Sequence, residues 1–411
     1  MARPQPELRP FGIGLHNGRC GNRLLVGRAP GCRSRRSSEI GAELAPMNET
    51  PTNEELPITR ELFLEWRSPR AGNANPSVLT NPVWEWLIRT RMNAYQATQL
   101  LGGPSPFDAG PGWCFDRFGQ TTTVLTDGRE VFVAGEHEDS YDPDFFIYSD
   151  VVVRSPNGEV AIYGYSKDAF PPTDFHTATL LKGSIVLIGS LGYQEERRNK
   201  KETQVLKLML DSFAIHKIDV LGASPGWIHR HNAALSDDGQ RITVFGGMVD
   251  PGSAEKSLKE NVDDWVLDLG SWAWTRTTDR NWQQWTFRRA DRKHGQLWNL
   301  RQAVWMRDMQ WKEDLAKEMH RLEANIGQTP DLDLIPFLYR PDDSVIQLPE
   351  AQYNVFRVLV DDVVVRFTEE SRLVRAIVEG RLSHERLQAL QESVRSKLSL
   401  VDGAAWEIET F

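Results

Sequence analysis

The densest group of residues able to do chemistry is the stretch EHEDSYDPD, which holds Glu136, His137, Glu138, Asp139, Tyr141, Asp142 and Asp144. Closely spaced carboxylates suit a hard divalent cation such as calcium, and an imidazole among them admits a transition metal. His137, Asp139, Asp142 and Asp144 are therefore the candidate metal ligands. The run lacks the glycine and terminal glutamate of an EF-hand loop, and it also reads as a solvated charged loop. A second group, His176, His229, Arg230 and His231, offers imidazoles for acid–base or metal chemistry. A third, GYQEERRNKKET, carries Arg197, Arg198, Lys200 and Lys201 and could meet an acidic partner or a phosphate, although Glu195, Glu196 and Glu202 largely neutralise it.

These groups are held by a passage of about fifty-five residues that occurs three times between Phe118 and Thr278. The inner lines read GQTTTVLTDGREVFVAGE, FHTATLLKGSIVLIGS and RHNAALSDDGQRITVFGG, which aligns Gly135, Gly189 and Gly246. Four short strands per unit at that period is a β-propeller pattern, because one four-stranded blade cannot bury both faces without neighbours. Labelled a to d, the strands fix two faces. The a–b turns TDGR, LKGS and SDDGQ are tight. The b–c connections, 136–149, 190–203 and 248–262, run to about fourteen residues each and fall on one face. Function is expected there. Glu136, His137, Tyr141, Arg197, Arg198 and Arg230 are the residues expected to line that binding face. His176 and His231 occupy one repeat position, held by Gln120 in the first unit. A glutamine in the equivalent place favours a hydrogen bond between blades and leaves His229 as the freer imidazole.

The inner hairpin ending on Gly246-Gly247, the preceding His231, and Trp265 and Trp274 on the outer strands resemble kelch repeats. The second copy keeps His176 and Gly189 but has Ser190, Leu206 and Ile215 in the later slots; the first keeps Gly135, followed by Glu136. The resemblance covers about 160 of 411 residues. It implies a kelch-repeat, galactose-oxidase-like β-propeller of bacterial type. Some such propellers are enzymes, including copper oxidases and a sialic acid epimerase. The copper ligands of those oxidases find no residue-by-residue match here, so their activity is not carried over. Closed propellers typically have four to eight blades, and three are countable. Degenerate blades, capping by flanking elements or completion by a second chain would each account for the difference.

The flanks read differently. Residues 1–46 hold eight Arg, no Lys and three acids, a local +5 within a total of -9. They form neither a strand nor a helix pattern and are expected to be a disordered basic extension upstream of a natural start at Met47, with a transit peptide as the alternative. Residues 47–80 read as a polar arm. Pro82 and Gly102 bracket a packing helix at 81–102, with the propeller repeats at 103–280. Leu297, Leu300, Val304, Trp311, Leu315, Met319, Leu322 and Ile326 predict one long amphipathic helix within 281–330, a candidate for self-association. A small α+β module is expected at 331–411: a hairpin turning at Asp361-Asp362, helices over 372–378 and 383–398, and a last strand AWEIET paired with the hairpin. Trp227, Trp282, Trp285 and Phe287 flank the third unit, either as a binding platform or as a seal against the adjoining helix.

Composition narrows the function. The chain is 40% hydrophobic and 26% charged, ordinary for a soluble globular protein. The acidic balance argues against a general nucleic-acid binder, and no apolar run approaches a membrane span. Cys20, Cys32 and Cys114 lack the spacing of a zinc site or a disulfide framework, which points to a reducing, cytoplasmic setting. No nucleophile elbow, phosphate-binding glycine loop, zinc-protease helix or dinucleotide fingerprint is present. The expectation is a mainly β, kelch-like propeller that acts as a protein-interaction or ligand-binding scaffold. Its partner is another protein or a small polar ligand, and no cofactor is assigned beyond the divalent-metal candidates. The alternative is an enzyme using His176, His229 and His231 with the acidic loop.

Overall fold

The side chains of Ser184–Ile188 are all buried, and they divide between two cores. Ile185 and Leu187 pack with Val131, Val133, Val151 and Val153 on one side. Val186 and Ile188 pack with Ile242, Val244 and Leu267 on the other. Strand alternation sends successive side chains to opposite faces, so this sheet must be covered on both. Complete burial of each such side chain contributes about 1.5–3 kcal/mol, which makes face-to-face stacking of the repeats the source of their stability.

The computed structural model describes residues 58–137, 143–198, 200–253, 256–309 and 311–411. The basic extension lies outside them. Within them, three antiparallel sheets follow in chain order. The first is built from Thr121–Val124, Glu130–Val133, Asp150–Arg154 and Val160–Gly164. The second is built from Thr177–Leu181, Ser184–Ile188, Val205–Met209 and Ile215–Lys217, and the third from Asn232–Leu235, Arg241–Phe245, Trp265–Asp268 and Ala273–Arg276. Their innermost strands approach one another in sequence order. The three repeats are thus three four-stranded meanders, as their patterning predicts. No closed propeller forms among the described residues.

The expected glycine alignment shifts by one residue in the first repeat. Ala134, Gly189 and Gly246 each follow the second strand with positive φ, 48°, 77° and 63°. Gly135, Ser190 and Gly247 come next. The amides of Gly135 and Ser190 both bond to the connection entering the next sheet, at Thr173 and Ile228. The first repeat therefore carries its pair as Ala134-Gly135.

The expected polar arm contains a helix, Arg60–Trp66, that buries Phe63, and a strand, Ser77–Leu79, that extends the first sheet at its outer edge. The expected single helix at 81–102 is two helices, Pro82–Thr90 and Ala94–Leu101. Arg91 turns left-handed, and Asn93 starts the second helix with a capping box to Gln96. Trp84 stacks on Trp113 at 4.8 Å, and both join the core formed with Phe132, Val152 and Ile162 of the first sheet.

The C-terminal half departs furthest from expectation. Gln283–Arg289 is a strand rather than the start of a long helix, and Leu373–Val378 is a strand rather than a helix. The residues QWTFR alternate so that Trp285 and Phe287 face the core, and LVRAIV is buried throughout between two neighbours. Together with Ile346–Leu348, Val355–Val360, Val363–Glu369 and Trp406–Thr410 they form a six-stranded antiparallel sheet. The last strand pairs with Gln283–Arg289, not with the hairpin. The hairpin turn at Asp361-Asp362 is as expected, with φ 47° and 62°. Ser383 caps the helix His384–Asp402 by accepting from the Arg386 amide. The remaining amphipathic stretch is two helices, Leu297–Asp308 and Lys312–Ile326, packed on each other. The apolar stripe is interrupted by the charges of Arg307 and Asp308, where the chain turns.

Candidate functional site

The histidines lie at the seams between sheets. His176 Nε2 is 2.8 Å from Thr121 Oγ1, and His231 Nε2 is 3.0 Å from Thr177 Oγ1. Each imidazole thereby ties the entrance of one sheet to the innermost strand of the sheet before it. In the first repeat Gln120 fills the slot and donates to the Phe115 carbonyl at 3.0 Å. Burial lowers the pKa of His176 to about 3 and of His231 to about 4, so both are neutral at physiological pH. His229 ends the strand Trp227–His229, which pairs with Met248–Asp250. The residue is 1% exposed, and neither ring nitrogen has a hydrogen-bond partner among the described residues. Burial first, then the charges of Arg230 and Arg197, lowers its pKa to about 3. None of the three imidazoles is more than 6% exposed. Arg230 turns outward, with its guanidinium 4.1 Å from the Phe175 ring.

Glu136 and His137 are buried in a two-residue ladder with Phe146 and Ile147. Asp139, Tyr141 and Asp142 lie outside the described residues. Asp144 is half-buried, and its charge acts on Arg67. Among the described residues, no three His, Cys, Asp or Glu side chains gather as metal ligands.

The basic loop is the part of the expected face that builds a pocket. Gln194–Arg197 forms one helical turn. Arg197 Nε lies 2.7 Å from Asp250 Oδ2 and Nη1 donates to the Gly192 carbonyl, so this side chain joins the long connections of the second and third sheets. Beyond Asp250, the third connection docks on the C-terminal sheet. Ser257 donates to Glu409 at 2.7 Å, and Glu260 is bonded by Arg366 at 2.6 Å. Between these elements is a cavity of about 220 Å³. Five cations line it: Arg197, Arg198, Lys256, Arg288 and Arg375. Two carboxylates, Asp250 and Glu370, accompany them.

Arg288, Arg375, Lys256 and Ser257 are not among the sequence candidates. The two arginines fall in segments whose pattern predicts helix. As strands, the same segments bring them to one face, since Thr286 is opposite Arg375 and Arg288 is opposite Leu373. The alternation of Trp285 and Phe287 with Thr286 and Arg288 is the signal that could have found them.

A second cleft, about 560 Å³, opens along the second sheet and its connections beside Lys167, Lys200, Lys201, Lys217 and Trp227. Its lysines are interspersed with Asp168, Glu202 and Asp219. Lys200 stands 6.0 Å above the Trp227 ring, whose Nε1 donates to the Leu191 carbonyl. No helix among the described residues is long and apolar enough to cross a membrane.

No protein-family model matches the chain. No curated protein matches it. Among solved structures, YjhT is similar at 16% identity and a TM-score of 0.30, over 39% of this chain and 55% of YjhT. A fungal alcohol oxidase of the AA5 family, solved in complex with copper, is similar at 13% identity and a TM-score of 0.26, over 41% of this chain and 44% of the oxidase. The matched region thus spans about half the length of each of these proteins.

Proposed function

We propose that this chain is a kelch-like scaffold of three propeller-type blades, an incomplete ring, that binds a small polar ligand on the face carrying the long b–c connections. The supporting observation is convergence: the second and third connections and the C-terminal sheet all contribute charged side chains to one cavity. A rigid framework with variable connections at one end is the usual arrangement of a binding protein. Acid–base catalysis by the histidines is the weaker reading, because His176 and His231 are spent on hydrogen bonds to threonines and all three rings are buried. The test is a thermal-shift screen of the purified chain against small anions, sugars and nucleosides. The reading expects a saturable hit that Arg197→Gln or Arg198→Ala, both at the cavity, weakens and that Lys182→Ala, in an a–b turn on the other face, leaves unchanged. A panel with no hit, or hits indifferent to the loop-face substitutions, rejects it.

A further inference from the structure

The cavity between the third long connection and the C-terminal sheet has an unbalanced set of charges. Asp250 is held by Arg197 and by the Gly252 amide at 2.7 Å. Glu370 is held by Arg375 at 3.0 Å. Arg198, Lys256 and Arg288 form no ion pair among the described residues, so the cavity carries three positive charges beyond its two internal pairs. Two of these, Arg198 and Lys256, are exposed at its rim. Arg288 is not; it is half-buried on a central strand.

Arg288 is the informative residue. Its only side-chain hydrogen bond among the described residues is from Nη2 to Ser257 Oγ at 2.5 Å. The Ser257 hydroxyl gives its own proton to Glu409, which leaves its oxygen free to accept from the guanidinium. A guanidinium has five donors in a fixed planar fork, so most of this one's capacity is unused. Arg375 stands diagonally across on the adjacent strand and on the same face, its Nη1 fixed by the Leu258 carbonyl. Two arginines on rigid neighbouring strands repel one another, and each is also desolvated. Burial is the first cause holding the Arg288 pKa below its ordinary value; the Glu409 carboxylate opposes it, and the charges of Arg292 and then Arg375 add to it. An anion between them would relieve both effects.

Resting on the loop-face reading above, we propose that this cavity binds a small dianion, a phosphate or a short dicarboxylate, between the guanidinium groups of Arg288 and Arg375. A volume of about 220 Å³ accommodates either. Arg288 supplies the planar fork, Arg375 the second positive wall, and Lys256 and Arg198 draw the anion in from the rim.

Isothermal titration of the full chain with inorganic phosphate, and separately with succinate, at constant ionic strength in chloride, tests the assignment. One probe is expected to bind saturably at a single site, and which one does so separates phosphate from dicarboxylate. Arg288→Gln is expected to weaken that probe about tenfold or more, the loss of a bidentate charge-assisted contact. Lys256→Ala, at an exposed position that does not threaten folding, is expected to weaken it about threefold, a rim-charge effect. Saturation by neither probe overturns the assignment, as does an affinity that both variants leave within about twofold of the parent. If Arg288→Gln does not fold, Lys256→Ala with Arg198→Ala decides alone. A loop-face hit in the thermal-shift screen without phosphate or succinate binding would remove the dianion and leave the scaffold reading standing.

Discussion

Gly189 lies directly beneath the carbonyl oxygen of Ile228, and a Cβ at this position would stand 2.3 Å from that oxygen and 2.7 Å from His231 Cε1. With φ at 77°, an alanine here would be strained in its own backbone as well as in collision with backbone that cannot move aside. The glycine is what lets the connection into the third sheet pass close over the end of the second.

Gly189→Ala is therefore expected to destabilise the chain by about 3 kcal/mol or more, as overpacking and backbone strain act together. Gly158, at φ 85° in a hairpin turn with nothing within 4 Å of an added Cβ, is the control. Gly158→Ala should cost only about 1–2 kcal/mol, the conformational term alone. Urea melts of both variants check the difference; equal losses would mean that the close approach to Ile228 is not the cause.

The three buried imidazoles make stability depend on pH with a definite sign. Burial holds their pKa values at about 3 to 4 in the folded chain, while in the unfolded chain they return to the ordinary value of 6.5. Between these limits the unfolded state binds more protons, so stability is complete above pH 6.5 and is lost as pH falls toward 4. Each pH unit of that difference is worth about 1.4 kcal/mol per group. Replacing His176 and His231 by the glutamine that the first repeat already uses should flatten the midpoint between pH 6.5 and 4.5. Parallel slopes for parent and double variant in urea titrations would show that other groups carry the acid sensitivity.

How much of the fold is legible in the sequence depends on how local each cause is. The three meanders were legible because their hairpins are announced by neighbours in the chain: Asp127-Gly128, Lys182-Gly183 and Asp238 with Gly239 between apolar runs. Leu373–Val378 was not, because a six-residue apolar run is compatible with either helix or strand until its neighbours are known. Pairing with Gln283–Arg289, some ninety residues earlier in the chain, decides it. The break at Arg307 and Asp308 lies between these limits, visible as two charges on the apolar stripe yet overridden by the regular spacing around it.

Arg117 and Asp150 form a buried pair that tests how the first sheet is tied to its covering helices. The Arg117 side chain is fully buried, its Nη2 is 2.9 Å from Asp150 Oδ2, and its guanidinium lies 3.4 Å from the Tyr148 ring centre. Trp113 Nε1 donates to the same carboxylate at 3.0 Å. Asp150→Ala would leave a buried cation and an indole N–H unpaired, for an expected loss of about 3–5 kcal/mol. Arg117→Met combined with Asp150→Ala should recover part of it, because no buried charge then remains. A double variant no better than Asp150→Ala in chemical denaturation would assign the loss to packing instead.

The site was legible only in part, and for the same reason. Arg197 and Arg198 could be placed on the long-loop face because the loops are contiguous in sequence. Arg288 and Arg375 reach the same cavity through pairing of strands that the local pattern does not announce. The imidazoles show the reverse: their sequence clustering suggested reactivity, whereas the repeat position shared with Gln120 already pointed to the tethering that His176 and His231 perform.

His229 separates a structural imidazole from a working one. Both ring nitrogens are buried without partners among the described residues, which costs free energy that neither an ion pair nor a hydrogen bond returns. Leucine has a similar volume and no polar atom, so His229→Leu should leave stability within about 1 kcal/mol of the parent or raise it. It should also remove one of the three protons taken up on unfolding below pH 6.5, and with it part of the acid sensitivity. Binding of phosphate or succinate should not change, because the ring does not line the cavity. The measurements are urea denaturation at pH 7.5 and 5 and titration of the variant with the better probe. A loss above about 2 kcal/mol at pH 7.5 would show that the imidazole has a partner whose hydrogen bond outweighs its burial. A loss of probe affinity at unchanged stability would instead make it part of the binding site.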